Sequence, residues 1–176
     1  VVQLPGGEIQ PAMKSGLIDA AEFNNPTSDS EFGMQDVSKH YHLGSFHQSQ
    51  ECFEITFNKT KFNALAPEQQ KILEYASEAE HSNFFWHNTM RYAEDLTKLK
   101  NKHGVNVYRT PDSVMADQLK AWDIVTQKFS DADPFFKEVV ESQKAYAKKV
   151  MAYILLAAPD YRMAYNHHFG DPAKAL

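Results

Sequence analysis

The stretch that decides the fold is residues 5–26, which read PGGEIQPAMKSGLIDAAEFNNP. Glycines open it, and apolar residues then recur at helical spacing, at Ile9, Ala12, Met13 and Leu17. Gly16 stands where the end of a helix needs a residue that tolerates positive φ. We therefore predict a short amphipathic helix that ends at Gly16 and a β-strand that begins near Ile18.

The predicted strand ends in polar groups. In an extended segment over residues 18–23, Ala20 and Glu22 share one side of the chain. Pro26 then stops further sheet pairing, because it has no N–H to donate. Ligands of open α/β sheets bind in the crevice beyond the carboxyl ends of the strands. Glu22 and Phe23 are therefore expected at the edge of a ligand-binding crevice.

The sequence from Gly6 to Glu22 carries the pattern Gly-x-Glu-x-x-x-Ala-x-x-x-Gly-x-x-Asp-x-x-Glu, followed by an aromatic residue and a proline. This pattern resembles that of DctP-type substrate-binding proteins, the extracytoplasmic receptors of tripartite ATP-independent periplasmic (TRAP) transporters. The likeness is strongest to the branch that binds α-keto acids, lactate and related carboxylates. It continues through residues 44–48 (GSFHQ), 53–58 (FEITFN) and 65–70 (LAPEQQ). The resemblance thus covers nearly the whole chain, but only the later part of such a receptor.

The fold class follows from the elements and the resemblance together. Helices with a few short strands would, taken alone, also fit a mostly α protein with a small sheet. The resemblance favours α/β: the later portion of a two-lobed periplasmic-binding-protein-like fold, with a long lobe-spanning helix and a helix-rich C-terminal region. We divide the chain into a βα lobe with half of the ligand cleft (1–65), the long helix (66–104), and a short strand with C-terminal helices (105–176).

One long helix is expected between Pro67 and Gly104, because no proline or glycine interrupts that span. At 1.5 Å per residue it would reach about 55 Å, more than the diameter of a small domain. It must therefore bridge two lobes or break once. Its buried stripe is predicted from apolar residues at helical spacing: Ile72, Ala76, Ala79, Trp86, Met90, Ala93 and Leu96.

Shorter elements are predicted on either side of the long helix. They are a short helix within residues 32–39, an aromatic loop over 40–48, and strands over 51–57 and 105–108. Two further helices are expected to begin at Thr110-Pro111 and at Asp133-Pro134. Each of these pairs combines a capping residue with a proline at the first helical position.

Glu22 is the strongest candidate for a binding role. From the residues alone, a carboxylate at a strand end is more often solvated or salt-bridged. The resemblance reverses this judgement: it implies that the Glu22 side chain coordinates a cation that also contacts the ligand's carboxylate, while Phe23 contributes its backbone carbonyl. Both are hard oxygen donors suited to sodium or calcium. Relatives often carry tryptophan where Phe23 stands, which changes the pocket wall but keeps the carbonyl. Asn24 either bonds the ligand or only makes the turn before Pro26.

The second candidate cluster is Phe46-His47-Gln48. Taken alone, His47 is a loop histidine and Phe46 an ordinary core ring. The resemblance places the three residues on the wall of the cleft. There Gln48 gives its amide oxygen to the metal or its amide group to the ligand, His47 contacts the ligand, and Phe46 forms an apolar wall.

The resemblance also implies an arginine that binds the ligand carboxylate through a bidentate, charge-assisted pair. That arginine lies upstream of the stretch matching Gly6, and Arg91, Arg109 and Arg162 do not fall in a matching position. We therefore expect this chain to hold half of a binding site.

Composition excludes several classes of function. The 176 residues carry a formal net charge of -5 and no long basic run, which argues against a nucleic-acid partner. The single cysteine, Cys52, rules out an internal disulfide. The apolar runs are far shorter than the roughly 20 residues that span a bilayer. The chain starts at Val1 without an initiator methionine or signal peptide, so an upstream portion with any export signal is expected to be missing.

The function implied by the resemblance is that of a periplasmic receptor without enzymatic activity. Such a receptor closes two lobes around a small organic acid, with sodium or calcium bridging ligand and protein. It then delivers the acid to the membrane permease subunits of a TRAP transporter. No organic cofactor is expected, and a homodimer formed through the helix at 133–158 is an option. A keto or hydroxy acid is expected, but the identity of the ligand stays open among keto, hydroxy, sugar and aromatic acids.

Two other functions stay open from the residues. Glu78-Ala79-Glu80-His81 places Glu78 and His81 one helical turn apart, as in a helical carboxylate-bridged metalloprotein or oxidoreductase. A di-iron site, however, needs a second such step and two more glutamates. An enzyme on a periplasmic-binding-like fold is the third possibility, since a fold does not fix function.

Overall fold

The computed structural model describes residues 1–46 and 54–175, apart from the side chains of residues 173 and 175. Helices dominate this part of the chain. In order, the elements are α1 (Gly6–Ser15), α2 (Pro26–Glu31), a 3₁₀ helix (Met34–Asp36), β1 (His40–Leu43), α3 (Lys59–Asn63), α4 (Pro67–His103), β2 (Asn106–Arg109), α5 (Asp112–Ala132), α6 (Pro134–Ala157), α7 (Tyr161–Phe169) and α8 (Pro172–Ala175).

The chain folds as two compact units. The first comprises the described residues of Val1–Tyr41 and Gln50–Val107, and the second comprises those of His42–Ser49 and Tyr108–Leu176. The first unit therefore contains α1 to α4, and the second contains α5 to α8. The division into 1–65, 66–104 and 105–176 stays a prediction.

The long helix α4 has the predicted bounds and runs without a break for 37 residues. Gly104 ends it in the left-handed conformation, at φ 68°. The predicted buried stripe is wrong for most of its length: Leu96 is 6 % exposed, whereas Ile72 is 65 % and Trp86 72 % exposed. The reason is local, because α2 packs against α4 and binds it at Arg91 and Asp95, in the C-terminal part of α4, which is also where Leu96 and Leu99 are buried.

The two described strands form a parallel pair. The Asn106 N–H donates to the Lys39 carbonyl at 2.8 Å, and the Thr110 N–H donates to the Leu43 carbonyl at 2.9 Å. β2 confirms the strand predicted at 105–108, shifted by one residue. β1 corrects the loop predicted at 40–48, because residues 40–43 find their hydrogen-bonding partner in β2.

Other local predictions are corrected around α2. Residues 18–25 are irregular rather than a strand, since a strand needs a neighbour to take up its backbone hydrogen bonds and the described sheet consists of β1 and β2 alone. The short helix expected within 32–39 is a 3₁₀ helix, which follows Gly33 at φ 73°. Of the strand predicted at 51–57, residues 54–57 form neither helix nor strand, and residues 51–53 lie outside the described residues.

The second unit is built on the packing of α5 against α6, where Thr126 and Val140 are buried. Asp133 caps α6 as predicted, and its carboxylate accepts the N–H of Phe135 at 2.8 Å. α5 begins one residue later than predicted, at Asp112, with Pro111 as its N-cap. None of the helices in the described part of the chain combines the length and apolar character needed to cross a bilayer.

Candidate functional site

The segment that carries Glu22 runs between two well-defined helix ends, and we call residues 18–25 the exit segment. α1 ends at Gly16, φ 74°, and the Leu17 N–H returns to the Ala12 carbonyl at 2.9 Å. At the other end, the Asn25 side chain caps α2 by accepting the N–H groups of Thr27 and Ser28, each at 3.1 Å. The two caps fix where the irregular backbone begins and ends.

The three predicted site residues of the exit segment differ in burial. Glu22 and Asn24 are exposed, whereas Phe23 is half-buried. The Phe23 ring packs edge-on against Phe32, with ring centroids 5.0 Å apart. It also approaches Gly6 so closely that an added Cβ there would stand 3.3 Å from the ring. The Phe23 ring is therefore packed against Phe32 and Gly6, while Glu22 is accessible to solvent.

The residue that holds the exit segment is Asp29, which the sequence analysis missed. It lies in α2 and is only 6 % exposed. Its Oδ1 accepts the backbone N–H of Asn24 at 3.1 Å, and its Oδ2 accepts the hydroxyl of Tyr41 at 2.6 Å. One sequence signal could have found it: Asn25-Pro26 is a strong helix start, which places Asp29 in the first turn with its side chain close to that start.

The electrostatics of Asp29 reflect its burial. Burial raises the pKa of the Asp29 carboxyl, and the nearby charge of Glu22 raises it further. Hydrogen bonds from the Tyr41 hydroxyl and the local backbone lower the pKa of Asp29 and partly offset this effect. The pKa of Tyr41 is raised in turn, first by burial and then by its bond to Asp29.

α2 is attached to α4 by a second set of polar contacts. The buried Thr27 hydroxyl donates to Asp95 Oδ2 at 2.7 Å, and Lys98 Nζ lies 2.8 Å from Asp95 Oδ1. The hydrogen bond from Lys98, and after it that from Thr27, holds the pKa of Asp95 below its usual range. Glu31, at the end of α2, pairs with Arg91 at 2.6 Å. The helix that supplies Asp29 is therefore itself anchored.

Of the second predicted cluster the structure describes Phe46, which belongs to the second unit. Phe46 is 53 % exposed, and its N–H donates to Gln118 Oε1 of α5 at 3.2 Å. Gln118 Nε2 also donates to the hydroxyl of Ser45 at 2.9 Å. His47 and Gln48 lie outside the described residues. Glu22, Phe23 and Asn24 thus come together in the first unit, and Phe46 lies in the second unit.

The donor set of the exit segment suits a hard cation. An exposed carboxylate from Glu22 and a backbone carbonyl from Phe23 are oxygen ligands of the kind that sodium and calcium take. The alternative site at Glu78 and His81 is not supported: within residues 1–46 and 54–175, no group of three or more histidine, cysteine, aspartate or glutamate side chains could hold a metal ion. Glu78 and His81 thus lack the further ligands that a di-iron centre needs in that part of the chain.

Two of the three arginines have structural partners. Arg91 pairs with Glu31 and Asp95, and Arg109 lies 3.3 Å from Asp112. Both are on exposed surfaces, with about half or more of each side chain accessible. That neither takes the place of the carboxylate-binding arginine implied by the resemblance stays a prediction.

A cleft between α5 and α6 has a volume of about 390 Å³. It is lined by Asp123, Thr126, Gln127, Ser130, Lys137, Val140, Glu141 and Lys144. None of the predicted site residues that the structure describes, Glu22, Phe23, Asn24 and Phe46, borders it.

Comparison with known families identifies the class of protein. Residues 1–132 match DctP, the bacterial extracellular solute-binding protein family 7. The match covers three quarters of the chain, and the chain belongs to this family. Among characterised relatives, a monocarboxylate 2-oxoacid-binding periplasmic protein of Nostoc sp. strain PCC 7120 is 29 % identical over 150 residues, or 85 % of this chain and 41 % of that protein.

Solved structures agree in fold and confirm the predicted α/β, periplasmic-binding-protein-like class. A TRAP transporter solute-binding protein from Bordetella bronchiseptica superposes with a TM-score of 0.77 at 25 % identity, over 99 % of this chain and 51 % of its own. It is a mixed-occupancy dimer with calcium and picolinate in the occupied site. A TRAP periplasmic solute-binding protein from Colwellia psychrerythraea, with bound calcium and pyruvate, gives 0.76 at 25 % identity, over 96 % of this chain and 50 % of its own.

A third structure supports the fold alone. It is a TRAP periplasmic solute-binding protein from Pseudoalteromonas atlantica, with a TM-score of 0.75 at 24 % identity, over 96 % of this chain and 50 % of its own. The chain thus spans about half the length of these structures and less than half of the characterised Nostoc relative.

Proposed function

We propose that this chain forms the later portion of the extracytoplasmic receptor of a TRAP transporter, which binds a small monocarboxylate of the 2-oxo acid class together with a cation. The observation that carries the proposal is the exit segment, where the exposed Glu22 carboxylate adjoins the Phe23 carbonyl on a backbone held by buried Asp29. Support comes from the Nostoc relative that binds 2-oxo acids and from the Colwellia structure with calcium and pyruvate.

The predicted site residues have separate roles in binding the cation and the ligand. Calcium or sodium would supply positive charge that offsets the ligand carboxylate. Glu22 and the Phe23 carbonyl would hold this cation, and Gln48 would complete the oxygen set. Asn24 and His47 would hydrogen-bond the ligand, and Phe46 would exclude water from its apolar side.

Transport follows from closure and needs no covalent step. A ligand that contacts both lobes stabilises the closed form by its greater affinity for that form. The closed receptor then delivers the acid to the membrane subunits of the transporter, so we infer a periplasmic binding protein rather than an enzyme. A homodimer is compatible with this role, as in the Bordetella relative.

Thermal unfolding of the full-length protein tests the proposal. Pyruvate with calcium should raise the midpoint by mass action, because it binds the folded state; at 100 times Kd the gain is about 2.7 kcal/mol. A chelator should reduce the shift, and Glu22→Gln should abolish most of it. Glu31→Gln is the matched control, since Glu31 is another exposed glutamate of the same unit that pairs with Arg91.

The test has a clear negative outcome. If pyruvate, lactate and picolinate all fail to shift the midpoint with either cation present, the carboxylate-receptor function is wrong. If a shift occurs but survives both the chelator and Glu22→Gln, the receptor function stands and the cation role of Glu22 is wrong.

A further inference from the structure

The contact between Asp29 and Asn24 bears on the orientation of the Phe23 carbonyl. The N–H of Asn24 and the C=O of Phe23 belong to the same peptide unit, which is planar and trans. In such a unit the two groups point in opposite directions. When Asp29 Oδ1 binds the Asn24 N–H at 3.1 Å, it therefore also sets the direction of the Phe23 oxygen, away from Asp29.

Asp29 itself is held by two bonds of its own. Its backbone N–H donates to the Asn25 carbonyl at 2.9 Å, which keeps it in the first turn of α2. Its Oδ2 receives the Tyr41 hydroxyl at 2.6 Å, so the carboxylate cannot rotate without losing that bond. The direction of Asp29 Oδ1 is thus set by the first turn of α2 and by Tyr41 of β1.

We propose that Asp29 is a positioning residue for the candidate cation site: it orients the Phe23 carbonyl through the Asn24 N–H, and Tyr41 keeps the Asp29 carboxylate in the orientation this requires. The inference rests on the proposed function and adds to it two residues that do not contact ligand or cation. A hydrogen bond accepted by a charged carboxylate also polarises the peptide, which makes the Phe23 oxygen a better ligand for a hard cation.

A merely structural role predicts a different result. If Asp29 only stabilised α2, any loss of a comparable hydrogen bond on α2 would have the same effect. Thr27 supplies the matched case. Its buried hydroxyl also donates to a carboxylate, that of Asp95, but it does not donate to Asp29 or to the peptide unit between Phe23 and Asn24. Tyr41→Phe and Thr27→Val each remove one O–H···O bond at α2, and only Tyr41→Phe removes one from Asp29.

The experiment compares Asp29→Ala, Asp29→Asn, Tyr41→Phe and Thr27→Val in the full-length protein. Calorimetric titration gives calcium affinity, alone and with pyruvate. Hydrogen exchange of the calcium-free protein, read by mass spectrometry on peptides covering residues 20–25, reports the Asn24 amide. Loss of a group that orients a metal ligand costs roughly 10- to 100-fold in affinity, which we expect for Asp29→Ala.

The other variants complete the expected pattern. Asp29→Asn keeps an acceptor oxygen for the Asn24 N–H and should recover part of the affinity, and Tyr41→Phe should show a smaller loss than Asp29→Ala. Both Asp29→Ala and Tyr41→Phe should speed exchange at residues 20–25. Thr27→Val should lower the thermal midpoint while leaving calcium affinity and exchange at those residues unchanged.

Each outcome decides between the proposals. If wild-type protein binds calcium and pyruvate but Tyr41→Phe and Asp29→Asn bind them equally well, positioning by Asp29 is wrong and the receptor function stands. If Thr27→Val lowers affinity as much as Tyr41→Phe, the role of Asp29 is structural and the proposal is again wrong. If wild-type protein itself fails to bind pyruvate with calcium, the receptor function is overturned, and the positioning role with it. Tyr41→Phe retains the carboxylate and serves as the decisive variant if Asp29→Ala does not fold.

Discussion

The exit segment in the first unit and the Ser45–Phe46 turn in the second unit are held by similar contacts of different strength. In each, one backbone N–H donates to a side-chain oxygen, at 3.1 Å for Asn24 to Asp29 and 3.2 Å for Phe46 to Gln118. Asp29 is charged, buried and bound by Tyr41, whereas Gln118 is neutral, half-buried and bonds back to Ser45 of the same turn. We therefore expect the exit segment to be the more rigid of the two, although the distances are nearly equal.

The largest effect is expected from Asp29→Ala. The substitution removes two part-buried hydrogen bonds to a charged carboxylate, from the Asn24 N–H and from the Tyr41 hydroxyl. Bonds to charged groups contribute about 1.5–3 kcal/mol each, so we expect a loss of about 3 kcal/mol in the free energy of unfolding. Urea denaturation of the full-length protein measures it. Asp117→Ala is the control, because Asp117 forms only an exposed pair with Lys120. Equal losses in the two variants would contradict the comparison.

How far the sequence predicts these regions depends on how local their causes are. α4 was predicted to the residue because its bounds depend on Pro67 and Gly104, which act on the adjacent backbone. β1 was missed because His40–Leu43 becomes a strand only through pairing with β2, far along the chain. Asp29 differs: the local helix start at Asn25-Pro26 could have placed it in the first turn of α2, but its burial and its bond to Tyr41 depend on tertiary packing.

The candidate site was predictable to a similar degree. Glu22, Phe23 and Asn24 were located from a local pattern and a family resemblance, and their roles stay predictions. Ile72 and Trp86 are exposed although helical spacing predicted them to be buried. Periodicity identifies the apolar face of a helix, but it does not show which part of that face is covered by another element.

A second prediction concerns Asp95, the residue of α4 to which α2 is bound through Thr27. The pKa of Asp95 is lowered in the folded protein by Lys98 and Thr27, so its charge contributes stability above the unfolded pKa of about 3.9. That contribution is lost as the pH falls through the lowered folded pKa. Asp95→Asn should therefore lower the thermal midpoint most at neutral pH, with the difference from wild type shrinking below about pH 4.

Asp95→Asn also sharpens the comparison between stability and positioning. Asp95 binds α2 through Thr27 but makes no hydrogen bond to the peptide unit between Phe23 and Asn24. The affinity of Asp95→Asn for calcium and pyruvate should therefore equal that of the wild type when it is measured at a temperature well below the thermal midpoint. A difference in midpoint that is constant from pH 3 to 7 would show that the Asp95 charge contributes nothing through these contacts.

A smaller effect is expected in the second unit, from Gln118→Ala. This variant removes the bonds to Ser45 and Phe46, all between neutral groups with partial access to water. Bonds of this kind that water can reach contribute about 0.5 kcal/mol each, so we expect a total loss of about 1.5 kcal/mol, about half of the Asp29→Ala effect. Urea denaturation again measures it, with Gln127→Ala on the same helix as control. A loss as large as that of Asp29→Ala would mean that the two regions are equally held.

The smallest effect is expected from Glu31→Gln, which tests whether the length of a contact or its burial determines how much it contributes to the free energy of unfolding. The Arg91–Glu31 pair and the Tyr41–Asp29 bond are both 2.6 Å long, but the side chains of Arg91 and Glu31 are 52 % and 60 % exposed. Water competes for an exposed pair, and holding two long side chains together costs entropy, so Glu31→Gln should lower the free energy of unfolding by less than about 0.5 kcal/mol.

Urea denaturation of Glu31→Gln and Tyr41→Phe, at low and high salt, makes the comparison direct. Salt should weaken the already small contribution of Glu31 and leave that of Tyr41 unchanged, because only the exposed charges are screened. If Glu31→Gln costs as much as Tyr41→Phe, then proximity rather than burial sets the strength of these contacts, and the greater rigidity assigned to the exit segment loses its basis.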